Sequence, residues 1–249
     1  MINKIDINII KNIALDAGKL ILKIYSQDFD IEYKEDNSPL TTADIISNDF
    51  ICKNLRLLYP TIPILSEENK EVPYSIRKNW EYYWCIDPID GTKEFIKKNG
   101  EFTVNIALIY KNKPVLGVVY APVLNDIYYA KQNSGAFKNS IQIPTIRDDE
   151  KLIIVASKSH LTKETEDFIS NIKSPKIKQL VSKGSSLKLC MIASGEADIY
   201  PRLSPTKEWD TAAAHAIVLE SGKNVYKFNT DEQLVYNKNN LLNPSFIVK

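Results

Sequence analysis

Acidic side chains in this 249-residue chain collect at the ends of apolar stretches. Asp87 and Asp90 lie in Asp87-Pro88-Ile89-Asp90-Gly91-Thr92, directly after Tyr82-Tyr83-Trp84-Cys85-Ile86. Glu67 and Glu68 follow Ile64-Leu65-Ser66, Asp44 opens an apolar-periodic stretch, and Asp210 opens Trp209-Asp210-Thr211-Ala212-Ala213-Ala214-His215. Each has a plain explanation. Asp is at home in tight turns, an acid at a helix start stabilises it by about 0.5–2 kcal/mol, and a glutamate pair can be a solvated loop. Together they suggest something else. A hard cation such as Mg²⁺ gathers carboxylates from separate segments, a backbone carbonyl and waters. Two such ions about 3.5–4 Å apart can clamp the attacking and leaving oxygens of a phosphoryl transfer. On 87–92 alone, a turn and a metal platform fit equally well.

Gly91 permits a sharp turn and a close approach to the main chain. A helix starting at Thr92 would present free N–H groups to an anion, and the Thr92 hydroxyl could orient an attacking water if an acid accepts its proton. A helix cap explains Thr92 as well. A second anion-binding candidate is Lys183-Gly184-Ser185-Ser186-Leu187-Lys188, which is equally readable as a capped helix. Arg202 and Lys207 precede Asp210 in a Pro-flanked loop and can face the same cleft. There is no GxxxxGK[ST] loop, no GxGxxG and no HExxH. His160 and His215 lack the neighbours of a triad or a zinc site, and His215 reads as a packed or surface residue. Cys52, Cys85 and Cys190 are far apart and odd in number, which fits core thiols in a reducing compartment rather than a disulfide frame.

The elements that must hold these residues are legible in outline. Ile5, Ile9, Ile13, Ala17, Leu20 and Ile24 predict an amphipathic helix over 4–25. Phe29, Ile31 and Tyr33 suggest a half-buried strand. A loop at 38–42 leads to a helix over 42–58 with Ala43, Ile46, Phe50 and Leu57 near one face. Residues 62–65 read as a strand and 69–79 as loop. The run 82–86 reads as a buried strand, with Pro88 placed to stop it. Strands at 102–110, 115–120 and 126–131 suggest an antiparallel meander. After a change of character at 138–150 the pattern alternates: strand 152–156, helix 162–171, strand 177–181, helix 185–194, strand 197–200, helix 209–221. This predicts an N-terminal α+β half, 1–145, carrying most of the acids, and a C-terminal α/β half, 146–249, completing the site.

Net charge of +1 gives no case for a nucleic-acid or membrane surface. No apolar run is long enough to span a bilayer, and residues 1–11 lack the apolar core of a signal peptide.

In order and spacing, Asp44, Glu67-Glu68, DPIDGT at 87–92 and WDTAAAHA at 209–216 resemble the inositol monophosphatase superfamily over nearly the whole chain. DPIDGTKEFIKKNGEFTVNIALI at 87–109, GVVYAPV at 117–123, GSSLK at 184–188 and YPRLSPT at 200–206 are similar to its bisphosphate nucleotidase branch. The final turn, Ser221-Gly222-Lys223-Asn224-Val225, is more polar than the family's usual one. The resemblance implies a layered αβαβα sandwich and a lithium-sensitive, Mg²⁺-dependent phosphomonoesterase. It implies one metal on Glu67, Asp87 and the Ile89 carbonyl, a second on Asp87, Asp90 and Asp210, and a weaker third on Glu67 and water. Asp44 and Thr92, with Glu67, would be catalytic. Gly91 and Thr92 would hold the scissile phosphate, within a substrate site shared with Glu67, Ile89, Asp90 and Asp210. Ser185, Ser186, Lys188 and Arg202 would receive the nucleotide and its remaining phosphate. The implied reaction converts adenosine 3′,5′-bisphosphate and water to AMP and phosphate, a clearing step in sulfate assimilation, with inositol monophosphate as the alternative substrate. The implied protein is a cytoplasmic monomer or homodimer, in some bacterial members loosely associated with the inner membrane.

Overall fold

The computed structural model describes residues 2–34, 38–147, 150–157 and 161–249. Helix α1 (Ile7–Tyr25) is capped by Asp6, whose side chain accepts from Asn8 N. Its buried face is Ile10, Ile13, Ala14, Ala17, Gly18 and Ile21, turned from the predicted one and leaving Ile9 exposed. The reason is Gly18, where an added Cβ would come within 2.4 Å of the Tyr120 ring: the helix presses its smallest residue onto that tyrosine. Strands β1 (Ile31–Tyr33) and β2 (Pro39–Thr41) form a two-stranded antiparallel ribbon, where a half-buried strand and a loop were expected. All of β1 is exposed, because no layer covers it. Helix α2 (Thr42–Leu58) also departs from its predicted face. It buries Ala43, Asp44, Ser47, Asn48, Ile51, Cys52 and Leu55, while Ile46 and Leu57 are exposed. Polar residues on the inner face are satisfied by partners: Ser47 Oγ donates to Pro88 O, and Asn48 Oδ1 accepts from Ser66 Oγ.

The central layer comprises β3 (Ile64–Ser66), β4 (Tyr82–Asp90), β5 (Thr103–Tyr110), β6 (Lys113–Ala121), β7 (Asp126–Lys131), β8 (Ala136–Lys138) and β9 (Ile141–Ile143), hydrogen-bonded in sequence order. The β3–β4 pair is parallel and the rest is the expected antiparallel meander. Short helices α3 (Tyr74–Arg77) and α4 (Thr92–Ile96) flank β4, the former inside a stretch expected to be loop. Alternation along the strands separates two cores. Trp84, Ile86, Ile106, Leu108 and Val118 face α1 and α2, while Tyr83, Cys85, Ala107, Ile109 and Val119 face the other way.

The chain continues with β10 (Lys151–Ser157), α5 (Lys163–Asn171), β11 (Ile177–Lys183), α6 (Leu187–Ser194), β12 (Tyr200–Arg202), α7 (Glu208–Glu220), β13 (Val225–Lys227) and β14 (Phe246–Val248). Strands β10 and β11 pair in parallel, β12–β14–β13 pair antiparallel, and a bridge between Ile154 and Ile199 joins the two groups. Helices α6 and α7 fill the space between this second sheet and the central one: Cys190, Ala213 and Ile217 share a core with Val119, Val155 and Val248. Val225 points into that core, so Phe228 points away from it, and there the Phe168 ring of α5 meets it. The layers are therefore α1/α2, seven-stranded sheet, α6/α7, second sheet, α5: the αβαβα sandwich. Cys52, Cys85 and Cys190 are free thiols buried in the interior. Among the described residues no helix is long and apolar enough to cross a membrane.

Candidate active site

Strand β4 does not stop at Pro88. Asp87 pairs with Asn105 and Asp90 with Thr103, so three steps on β4 oppose two on β5 and the ladder is interrupted between them. Pro88 lies in that bulge, where no N–H is required of it. Gly91 follows with φ +96°, and a Cβ there would meet Glu101 O at 3.2 Å, so glycine suits both backbone and space. Bulge and turn together bring Asp87, the Ile89 carbonyl, Asp90 and Thr92 to one end of the central sheet.

Two more acids arrive on helices. Asp44 and Asp210 are each the third residue of their helix, and each carboxylate turns back to a backbone N–H before it, Thr41 N at 2.7 Å and Lys207 N at 2.9 Å. Capping thus accounts for one oxygen of each acid, and the other Asp44 oxygen accepts from the Thr92 hydroxyl. Carboxylate oxygens of Glu67, Asp87 and Asp210 lie within 4.8 Å of one another. Asp87 is buried and its Oδ1 has no hydrogen-bond partner. Burial pushes Asp87 well above the usual carboxylate range, and Glu67, Asp90 and Asp210 push it further. Asp210 is raised by burial, then by Asp90 and Glu67. Asp90 is raised by burial to about 6, against the pull of Lys188 and the Ser186 N–H. Crowded carboxylates, one with an oxygen left unpartnered, are costly in a dry site unless a cation joins them. An all-oxygen donor set of this kind fits a hard divalent ion.

Asp44 is buried, with its pKa raised by that burial and lowered by its Thr41 and Thr92 hydrogen bonds. Its Oδ1 is 3.2 Å from the Thr92 hydroxyl, which also lies 3.3 Å from Ile89 O. One hydroxyl proton serves two acceptors, so engaging the Ile89 carbonyl elsewhere commits Thr92 to Asp44.

A cavity of about 260 Å³ opens beside these groups. Its walls include Glu67, Asp90, Gly91, Thr92 and Asp210 together with Gly184, Ser185, Lys188, Tyr200 and Arg202. The Lys188 ammonium donates to Lys183 O at 3.2 Å and to Ser185 O, and burial lowers its pKa to about 8 despite Asp90. Ser185 has φ +46° and a buried hydroxyl without a partner. Ser186 turns inward instead: its hydroxyl donates to Asn105 Oδ1, and it is absent from the cavity wall. Arg202 and Lys207 part company at Asp210. Arg202 lines this cavity, whereas Lys207 lines a neighbouring one with Lys34 and Trp209. His215 is buried against Tyr236 in α7 and takes no part; His160 lies outside the described residues.

A sequence profile of the inositol monophosphatase family matches residues 4–247. The chain belongs to the inositol monophosphatase family. Within it, the 3′(2′),5′-bisphosphate nucleotidase CysQ of Salmonella typhimurium is 44% identical over 241 residues, 95% of this chain and 96% of that protein. The CysQ of Buchnera aphidicola is 46% identical over 221 residues, 86% of this chain and 81% of its own. The crystal structure of CysQ from Bacteroides thetaiotaomicron superposes with a TM-score of 0.90 at 43% identity, covering 99% and 98% of the two chains. An inositol monophosphatase from Thermotoga maritima, at 25% identity, gives 0.82 over 97% and 91%.

Sequence reasoning missed two residues of this site. Lys34 lies 3.0 Å from Glu67 Oε1 and 2.6 Å from Glu68 Oε1. Burial acts against its charge, but the two glutamates raise its pKa to about 12. Asn105, on β5, places its Nδ2 3.5 Å from Asp90 Oδ2. Neither carries a motif; both are defined by long-range contacts alone.

Proposed function

We propose that the protein is a Mg²⁺-dependent phosphomonoesterase that converts adenosine 3′,5′-bisphosphate and water to AMP and phosphate. One observation carries this reading. A single cavity is lined both by the carboxylates Glu67, Asp90 and Asp210, with the partnerless Asp87 Oδ1 in the same cluster, and by Lys188, Arg202 and the unsatisfied Ser185 hydroxyl. The carboxylates suit a metal-held phosphate to be cleaved, and the cations and hydroxyl a phosphate to be kept. The nucleotidase names of the relatives at 44% and 46% identity point the same way.

Glu67, Asp87 and the Ile89 carbonyl would hold one Mg²⁺; Asp87, Asp90 and Asp210 a second; and Glu67 a weaker third. When bound, these ions supply Lewis-acid stabilisation of charge on the phosphoryl and leaving oxygens. The protein's own part is orientation and proton handling. Thr92 donates to Asp44, so its oxygen accepts a hydrogen bond from the attacking water and aims that water at phosphorus. The water oxygen forms the new P–O bond and the bond from phosphorus to the 3′-oxygen breaks; of the water's two protons one stays on the released phosphate and the other ends, by way of solvent, on the 3′-oxygen as the AMP hydroxyl. Gly91 and Thr92 present N–H groups to the phosphate at the start of α4, a setting that favours an anion. A cytoplasmic place in sulfur metabolism, as monomer or homodimer, accompanies this reading.

The test is phosphate release from adenosine 3′,5′-bisphosphate and from inositol 1-phosphate at equal Mg²⁺, with a lithium titration. Faster turnover of the nucleotide and lithium inhibition are expected. Faster turnover of the inositol ester would replace this substrate with the family's other one, and nucleotide binding without phosphate release at any Mg²⁺ level would mean a binding protein on an enzyme's fold.

A further inference from the structure

Asp90 is approached by a line of hydrogen bonds with one direction, which passes through Ser186 of the second half of the chain. The Ser186 hydroxyl gives its proton to Asn105 Oδ1 at 2.9 Å. A hydroxyl has one proton, so in the 2.8 Å contact with Thr103 Oγ1 the donor is Thr103. With its oxygen held by Ser186, the Asn105 amide must turn its NH₂ toward Asp90 Oδ2, 3.5 Å away. Thr103, Ser186 and Asn105 are all buried at 0–1% exposure, so water does not compete for these groups. Every donor in the line, Thr103 to Ser186 to Asn105, points at the carboxylate, and donors so aligned polarise one another. The Ser186 backbone N–H also favours the charged form of Asp90.

The arrangement depends on the bulge. Asn105 stands opposite Asp87 and Thr103 opposite Asp90, and only the extra residue on β4 brings Asp90 within reach of the Asn105 amide. At the other end, the loop that carries Ser186 is held against the first half of the chain. Gly184 N donates to Glu101 Oε2 at 3.0 Å, and Lys183 pairs with Glu101. Gly184 has no room for a side chain, since a Cβ would lie 2.8 Å from Glu101 O and from Glu94 Cγ. The same loop supplies Ser185 and Lys188 to the cavity.

We propose that Asn105 and Ser186 are positioning residues that orient the Asp90 carboxylate for a divalent ion and link its occupancy to occupancy of the 184–188 loop by nucleotide. The proposal rests on the function proposed above and deepens it. Ser186 then acts through Asp90 rather than on the nucleotide. Ion binding orders Asp90 and with it Ser186, so AMP finds its loop already in place, and by reciprocity AMP tightens the ion.

The test is calorimetric titration of the full chain with Mn²⁺, with and without AMP, in wild type, Asn105→Leu and Ser186→Ala. Partners that orient a metal ligand typically change affinity by about 10–100-fold. Asn105→Leu is expected to weaken one class of Mn²⁺ site by about tenfold. Ser186→Ala, which leaves the Asn105 amide in place, should weaken the same class by less. In both, the gain in AMP affinity on adding Mn²⁺ should shrink. Ser186→Ala removes a single oxygen, so it carries the test if Asn105→Leu does not fold. Wild-type Mn²⁺ affinity in the variants, with the AMP linkage intact, would overturn the bridge while leaving the function standing. A wild-type chain that binds no divalent ion would instead overturn the proposed function itself.

Discussion

The Thr92 hydroxyl lies between two acceptors, 3.2 Å from Asp44 Oδ1 and 3.3 Å from Ile89 O. It reaches Asp44 across 48 residues of sequence, from the first turn of α4 to the first turn of α2. The other Asp44 oxygen is held by the Thr41 hydroxyl at 2.6 Å and backbone N–H at 2.7 Å, so the carboxylate cannot rotate away. Helix capping thus fixes the acceptor that Thr92 needs.

If that pair acts as one device, Thr92→Val and Asp44→Asn should each lower kcat by about 10²–10⁴-fold, the usual yield of a positioned acid–base group. The double variant should be no slower than the worse single one, because groups that act as a unit are not additive. Steady-state kinetics on all three proteins checks this; multiplicative losses would separate the two roles.

The crowded carboxylates predict an exchange of stability for activity. Asp87→Asn and Asp90→Asn each remove a charge that burial and like-charged neighbours disfavour. Without metal, each variant should melt a few degrees above wild type. Each should also lose about 10²–10³-fold in kcat, as when one electrostatic group is taken from an active site. Melting curves in chelator and activity in Mg²⁺ provide the two readings. Near wild-type turnover would remove the residue from the metal site.

Lys188→Met should raise KM for adenosine 3′,5′-bisphosphate by about 10–100-fold, the equivalent of roughly 1.5–3 kcal/mol for a charge-assisted contact. KM for a 3′-monophosphate should move far less. The expected difference places the retained phosphate near Lys188; equal effects would place it elsewhere.

The pH dependence of folding should carry the mark of His215. Its Nδ1 is 2.9 Å from the Tyr236 hydroxyl, its Nε2 has no partner, and burial lowers its pKa to about 3. The unfolded chain takes up this proton below about pH 6.5, the folded one only near 3, so the unfolded state binds more protons between them. Stability is then complete above about pH 6.5 and falls toward pH 3 by about 1.4 kcal/mol per pH unit from this group. His215→Gln should flatten that limb in denaturant titrations. An unchanged slope would assign the acid sensitivity to other groups.

What the sequence displayed was chemistry carried by neighbours in the chain. Asp87 to Thr92 form one contiguous device, and Asp44 and Asp210 sit where helix starts are easily recognised. Asn105 could not be found this way. It lies in a strand buried on both faces, where one polar residue has no periodic signature, and its meaning comes from a one-residue bulge on the neighbouring strand. Lys34 meets its glutamates across 33 and 34 residues. The face of α1 was misplaced because isoleucines surround that helix, and only Tyr120 against Gly18 decides which side is inward. The inward face of α2 was obscured by the opposite problem, since Ser47 and Asn48 are polar and yet buried.

Asp210 owes its position to a residue with no side chain at all. At Gly117 on β6, a methyl group would lie 2.0 Å from the Ala213 carbonyl oxygen, so α7 rests on the bare backbone of the sheet. The helix face there is built of alanines, Ala212, Ala213, Ala214 and Ala216. In a library screened for activity, position 117 should therefore accept no side chain, a demand as strict as any placed on the carboxylates although it is made at a distance from the substrate, and one in which size alone is inherited and chemistry is not.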